Sequence, residues 1–271
     1  MPMYETFFDL KESPFNLTPD PRFVYFSRHH QEALSALLYG VKARRGFIQL
    51  TGEIGAGKTT LCRTFLQKLK DDVHTSLVLN PKFSEFELLQ VIIEDFGIKP
   101  MRKKKKDYLD ALSRFLLEEL QKGYNAVVII DEAQLLTPRA LEQVRLLSNL
   151  ETSTQKLLQI VLVGQPELKD LLNRQDLMQV KQRISVRYHL PALSREEVVS
   201  YISHRLNIGG AERNFFTEDA INLIFQISAG IPRIINTLAD RALMAAFSQS
   251  SKLVMPSMIE EAHADLQGVH S

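Results

Sequence analysis

The chain has 271 residues, with 33 Lys+Arg against 32 Asp+Glu, 45% hydrophobic residues, one Cys and no Trp. A formal net charge of +1 excludes a polybasic nucleic-acid scaffold and an acidic disordered tail, and a single Cys excludes an internal disulfide framework or a Cys-rich zinc site. The longest unbroken apolar run, Ala242 to Phe247, falls far short of the ~18 residues a membrane-spanning helix needs. The aromatic, acidic start lacks the pattern of a signal peptide. The expectation is a soluble protein of a reducing compartment, folded as one large domain or two modest ones.

Residues 1–28 are rich in aromatics (Phe7, Phe8, Phe15, Phe23, Tyr25, Phe26) and carry prolines at 2, 14, 19 and 21. The prolines prevent a long helix, and so many aromatics imply a segment laid against the protein. Ala33, Leu37, Leu38 and Val41 then recur at helical spacing from His29 to Arg44. Strand candidates follow at Phe47–Thr51, Val73–Leu79, Ala126–Ile130, Gln159–Val163 and Ser185–Leu190. Between them, helices are expected over Thr59–Leu69, Ser84–Phe96, Asp107–Lys122 and Pro138–Leu150. Near-continuous apolar strands alternating with helices predict a parallel five-stranded α/β sheet covered on both faces. Beyond Pro191 only helices are expected: Arg195–Leu206, Glu218–Ile227, Pro232–Phe247 and Pro256–Leu266. Thr217 and Pro232 suit the starts of two of them. The division is therefore residues 1–45, an N-terminal extension and first helix packing on the core; 46–190, the α/β core; and 191–271, a small all-helical lid domain. Residues 46–190 carry three more basic than acidic side chains, and residues 191–271 three more acidic than basic. The five-residue basic run Arg102–Lys106 reads as a solvated loop, or as a contact for phosphate or anionic lipid. His29 and His30 read as capping or surface positions, and Cys62 as a packed small residue.

Gly52-Glu53-Ile54-Gly55-Ala56-Gly57-Lys58-Thr59 fits G-x-x-x-x-G-K-[ST] between an apolar strand and a helix. Glycines let the backbone bend around phosphate and aim N–H groups at its oxygens. Lys58 would reach the β- and γ-phosphates, Thr59 would coordinate Mg²⁺, and the following helix adds positive charge at its N-terminus. The competing reading is a Gly-rich turn that fits by chance. In Val127-Val128-Ile129-Ile130-Asp131-Glu132, a buried strand ends in two carboxylates, which is costly unless they emerge into a site. Asp131 is the expected Mg²⁺ partner through water, and Glu132 the candidate for polarising an attacking water. The two motifs together imply nucleotide hydrolysis. Gln165, ending the next strand in Leu162-Val163-Gly164-Gln165, could orient that water or merely cap a turn. Arg183 and Arg187 lie just before and within the fifth strand; one could project across a subunit boundary as an arginine finger, against the commoner surface salt bridge. Arg233, in Gly230-Ile231-Pro232-Arg233, sits in a first helical turn where the dipole disfavours a cation, a placement that an anionic ligand would reward.

This arrangement resembles the AAA+ ATPases over essentially the whole chain. The closest likeness is to the general secretion pathway protein A (ExeA/GspA) family. It rests on Tyr4-Glu5-Thr6-Phe7-Phe8, Ser13-Pro14-Phe15, His30-Gln31-Glu32-Ala33-Leu34, Leu38-Tyr39-Gly40-Val41, Asp131-Glu132-Ala133-Gln134 and Leu162-Val163-Gly164-Gln165-Pro166-Glu167-Leu168. The resemblance implies a P-loop fold with a helical lid and a cofactor pair of ATP and Mg²⁺. It makes Gly52 to Thr59, with Thr60, the Walker A nucleotide site, Asp131–Glu132 Walker B, Gln165 sensor 1, Arg183 the arginine finger and Arg233 sensor 2. The N-terminal segment is implied to line part of an adenine pocket, with no single residue assigned. Family members used in secretion carry a membrane-spanning helix and a peptidoglycan-binding region after the ATPase; this sequence reads as the cytoplasmic ATPase module alone, held at the inner membrane, if at all, through a partner or a missing C-terminal region. The expected partners are further copies of the chain, as a dimer or ring, and a secretion or envelope-assembly protein. The alternatives are a DNA-dependent ATPase of transposition or replication initiation and a non-catalytic nucleotide-gated adaptor. A DEAD/DEAH-like helicase is excluded, because the chain is too short for two helicase cores.

Overall fold

The computed structural model describes residues 4–18, 20–69, 71–100 and 104–268; Pro2, Pro19 and the first two residues of the basic run, Arg102 and Lys103, lie outside them. Two compact units are present. One comprises residues 29–52 and 61–190; the other comprises the described residues of 1–28, 53–60 and 191–271.

The elements of the first part of the chain are α1 (Arg28–Lys42), β1 (Phe47–Gly52), α2 (Lys58–Lys68), β2 (Val73–Val78), α3 (Glu85–Asp95), α4 (Lys105–Gln121), β3 (Asn125–Ile130), α5 (Pro138–Leu147), β4 (Gln159–Gly164), α6 (Glu167–Leu172), α7 (Met178–Gln182) and β5 (Ile184–Leu190). The five strands form one parallel sheet in the order β2-β3-β4-β1-β5, the α/β fold expected. Every residue of the three central strands is buried, whereas the edge strand β5 alternates with solvent, which is why only the central strands read as unbroken apolar runs. Successive side chains leave a strand on opposite faces. On one face Phe47, Val128, Ile130, Ile160 and Leu162 share a core with Leu88 and Ile92 of α3, Leu112 of α4 and Val144 of α5. On the other, α1 approaches Ile48 so closely that a Cβ on Gly40 would lie 2.5 Å from its Cδ1. Helices thus cover both faces. Because the strands are parallel and in register (Thr51 opposite Gly164, Ile130 opposite Leu162), the carboxyl ends of β1, β3 and β4 emerge along one edge, where ligands of such sheets bind.

The remaining helices are α8 (Arg195–Ile208), α9 (Glu218–Ser228), α10 (Pro232–Ser248) and α11 (Pro256–Leu266). Ser194 opens α8 with a capping box, and Thr217 opens α9 by accepting from the N–H of Ala220. The sequence reading expected residues 1–45 to be an N-terminal extension and first helix packing on the core. Tyr4, Phe8, Leu10 and Phe15 are instead buried among α8–α11, and only α1 belongs to the sheet unit. Arg205 holds this segment in place. It is 7% exposed and donates to the carbonyls of Pro14 (2.5 Å) and Asn16 (3.0 Å) and to the Tyr201 hydroxyl (3.1 Å), with its guanidinium 4.9 Å from the Phe23 ring centre. The Tyr4 hydroxyl donates to Asp240, and Lys11 N–H to Gly209 (2.8 Å).

Three smaller readings change. His30 is buried, not a surface residue. Lys105 and Lys106 form the first turn of α4, not a loop; Asp107, accepting from Lys104 N–H at 3.2 Å, supplies the negative charge that end of a helix favours. Two short helices, α6 and α7, were not foreseen.

Candidate active site

β1 hands the chain at Gly52 to the loop 53–60. A side chain at Gly52 is impossible without movement, since its Cβ would lie 2.7 Å from the Leu190 carbonyl oxygen. Gly55 and Gly57 adopt φ of +81° and +97°, conformations that favour glycine. The Ala56 N–H closes a turn on the Glu53 carbonyl (3.1 Å). The same carbonyl accepts from Lys58 Nζ at 2.9 Å, and Lys58 is 6% exposed. α2 begins at Lys58, so Thr59 and Thr60 lie in its first turn, at the end of the helix whose dipole favours an anion. Within its own unit, the loop meets the start of α10 directly. Arg233 N–H donates to the Gly55 carbonyl at 3.3 Å, and a Cβ on Gly55 would lie 2.6 Å from Arg233 Cβ. Arg233 is exposed, and among the described residues its guanidinium has no hydrogen bond or ion pair. Its turn is fixed by Gly230, at φ +76°, whose Cβ would fall 2.0 Å from the Leu193 carbonyl oxygen.

At the end of β3, Asp131 is 3% exposed; its N–H donates to Val78 (2.8 Å), and its Oδ1 accepts from Glu132 N–H (2.9 Å). Glu132 takes the left-handed conformation (φ 52°, ψ 37°), uncommon outside glycine and frequent at functional positions. This turns the chain sharply off the strand. The Glu132 Oε2 accepts two amide N–H groups, from Gln134 Nε2 (2.5 Å) and Gln165 Nε2 (3.0 Å). Gln165, just beyond β4, is therefore joined to Glu132 and is not a simple turn residue. Gln134 was quoted in the sequence only as part of a motif. Its signal was a polar side chain two residues after Glu132 in a short 3-10 turn, opposite a glycine.

Arg183 is not brought to Glu132 and Gln165. It caps α7 and donates to Ser148 Oγ at 3.4 Å, next to Ile184, which pairs with Phe47. That is the amino edge of the sheet, about 20 Å from the carboxyl edge for strands of this length. Arg187 donates to the Lys181 carbonyl at 2.7 Å. Among the described residues no group of three His, Cys, Asp or Glu could hold a metal. Mg²⁺ does not require one, since it is commonly bound by one or two protein oxygens with phosphates and water. An oxygen donor of that kind is present in each unit, the Thr59 hydroxyl in one and the Asp131 carboxylate in the other.

Residues 41–172 match the AAA domain family AAA_22. General secretion pathway protein A of Aeromonas hydrophila is 44% identical over 269 residues, 98% of this chain and 49% of that protein; the chain spans about half the length of this curated relative. Among solved structures, the ORC2 protein of Aeropyrum pernix in its ADPNP–ADP complexes matches 97% of this chain and 73% of its own, with a TM-score of 0.66 at 18% identity. Cdc6p of Pyrobaculum aerophilum matches 94% and 71%, with a TM-score of 0.72 at 18% identity. These two likenesses concern the fold. The glycine loop and the strand-end carboxylates agree with these matches: residues 41–172 match an AAA domain, and the chain is similar over nearly its whole length to general secretion pathway protein A.

Proposed function

We propose that this chain binds Mg-ATP and hydrolyses it to ADP and phosphate, and that the nucleotide cycle drives self-association in assembling a secretion or cell-envelope machine. The observation that carries the reading is the pairing of the phosphate loop with Arg233, a cation with no protein partner among the described residues, bonded through its backbone to Gly55. The backbone of Gly52 to Gly57, with Lys58, Thr59 and Thr60, holds the phosphates. Thr59 directly, and Asp131 through water, would hold Mg²⁺, which when bound neutralises phosphate charge. Glu132 takes the proton of the attacking water, and Gln165 fixes both. Arg233 stabilises charge developing on the γ-phosphate. Arg183, at the far edge of its own sheet, acts on the site of a neighbouring protomer. The reading places the protein in the cytoplasm, meeting the inner membrane through a partner. Among the described residues no helix is long and apolar enough to cross a membrane.

ATP turnover measured across a protein-concentration series, with and without DNA, tests this reading. Specific activity should rise with concentration and ignore DNA, and Arg183→Ala should be rescued by mixing with Lys58→Ala protomers. Flat specific activity without rescue refutes the in-trans role. Strong stimulation by DNA replaces the assembly reading with the transposition and replication-initiation one.

A further inference from the structure

We infer that Gln134 is a positioning residue for hydrolysis: its carboxamide ties Glu132 to the end of β4 and leaves Glu132 Oε1 as the oxygen that receives the water proton. This rests on the ATPase reading above. Gln134 is bonded at both ends. Its Nε2 donates to Glu132 Oε2 at 2.5 Å, and its Oε1 accepts from the backbone N–H of Gln165 at 3.1 Å. The Gln165 side chain closes the ring by donating to the same Glu132 oxygen. Oε2 is thus saturated by two amide donors, while Oε1 carries no hydrogen bond among the described residues. In the step this serves, the water oxygen bonds to the γ-phosphorus and its proton passes to Oε1. The bond to the bridging oxygen breaks, its electron pair leaving on ADP.

The protein makes room for this ring. A Cβ on Gly164 would lie 2.7 Å from Gln134 Oε1, so the glycine before Gln165 permits the carboxamide to reach the Gln165 N–H. The left-handed turn at Glu132 brings its carboxylate back to a residue only two positions ahead. A residue that merely stabilised the turn would need one of these bonds; Gln134 makes both, and so couples the positions of Glu132 and Gln165.

The test is Gln134→Met, of similar length with neither donor nor acceptor, assayed on the full chain. Turnover number should fall by about 10- to 100-fold, the loss expected when a carboxylate loses one charge-assisted hydrogen bond. Affinity for a fluorescent ATP analogue should be unchanged. In a Glu132→Gln background the same substitution should cause no further loss, since Gln134 acts through Glu132. Gly164→Ala, which crowds the carboxamide from the other side, should lower turnover without adding to Gln134→Met; thermal melts identify any variant that fails to fold. Wild-type turnover in Gln134→Met, or a full multiplicative loss in the Glu132→Gln background, overturns the inference alone. Wild-type turnover in Glu132→Gln itself overturns the ATPase assignment of that residue, and this inference with it.

Discussion

Gly55→Ala places a side chain at the contact between the phosphate loop and Arg233. Gly55 sits at φ +81°, and an added Cβ would lie 2.6 Å from Arg233 Cβ and 3.3 Å from Ile231 Cγ2. The backbone conformation alone costs an L-residue about 1–2 kcal/mol. If that cost must be met whenever the loop closes on phosphate, affinity for nucleotide falls by about 5- to 30-fold. The collision adds to this, because Arg233 Cβ belongs to a helix start fixed by Gly230 and cannot move as a flexible side-chain end would. The assay is titration with a fluorescent ATP analogue beside a thermal melt. Gly97→Ala supplies the control. Gly97 has a similar φ of +71° with nothing within 4 Å of the added Cβ, so Gly97→Ala should lower stability by about 1–2 kcal/mol and leave nucleotide affinity unchanged. Wild-type affinity in Gly55→Ala would refute the argument that this loop, in this conformation and against Arg233, is the phosphate site.

Arg205→Met should lower unfolding free energy by about 3 kcal/mol in denaturant titration, since it leaves the buried carbonyls of Pro14 and Asn16 without donors; protease should then cut more readily within residues 4–18. Ser194→Ala, which removes the capping box of α8, should cost about 1 kcal/mol in the same titration with no change in nucleotide affinity. Lys122 and then His74 hold the Glu119 carboxyl below its ordinary range. Its contribution to stability is therefore complete above the unfolded value of 4.5 and is lost as pH falls through the lowered folded value. Melting temperature against pH should show a shallower acid limb in Glu119→Gln than in wild type.

The sheet was legible because β1, β3 and β4 are buried on both faces, so burial wrote unbroken apolar runs into the sequence. The phosphate loop and the strand-end carboxylates were legible for a related reason: glycines and charges stand where an apolar strand would otherwise continue. Other features carried no local pattern. α6 and α7 have six and five residues, too short for a helical period to register. The placement of Tyr4, Phe8 and Phe15 depended on which distant surface would cover them. Aromatic content showed that they are covered but not by what, and the sequence reading chose the sheet unit when the helical unit holds them. The bond from Gln134 to Glu132 could not be seen either, because it needs a left-handed residue at Glu132, a conformation glutamate does not advertise. Gly164, which the sequence reading left just beyond the strand, closes β4 and is a clearance for that same bond.

The central claim is that loop 53–60 binds the nucleotide while Glu132 promotes its hydrolysis, and a comparison of Lys58→Ala with Glu132→Gln separates the two roles. Binding of a fluorescent ATP analogue and single-turnover release of phosphate would be measured on both variants and the wild type with Mg²⁺ present. The account predicts that Lys58→Ala loses binding, and that Glu132→Gln binds as wild type yet retains its ATP uncleaved. Phosphate release at the wild-type rate from Glu132→Gln, or undiminished binding by Lys58→Ala, would contradict it.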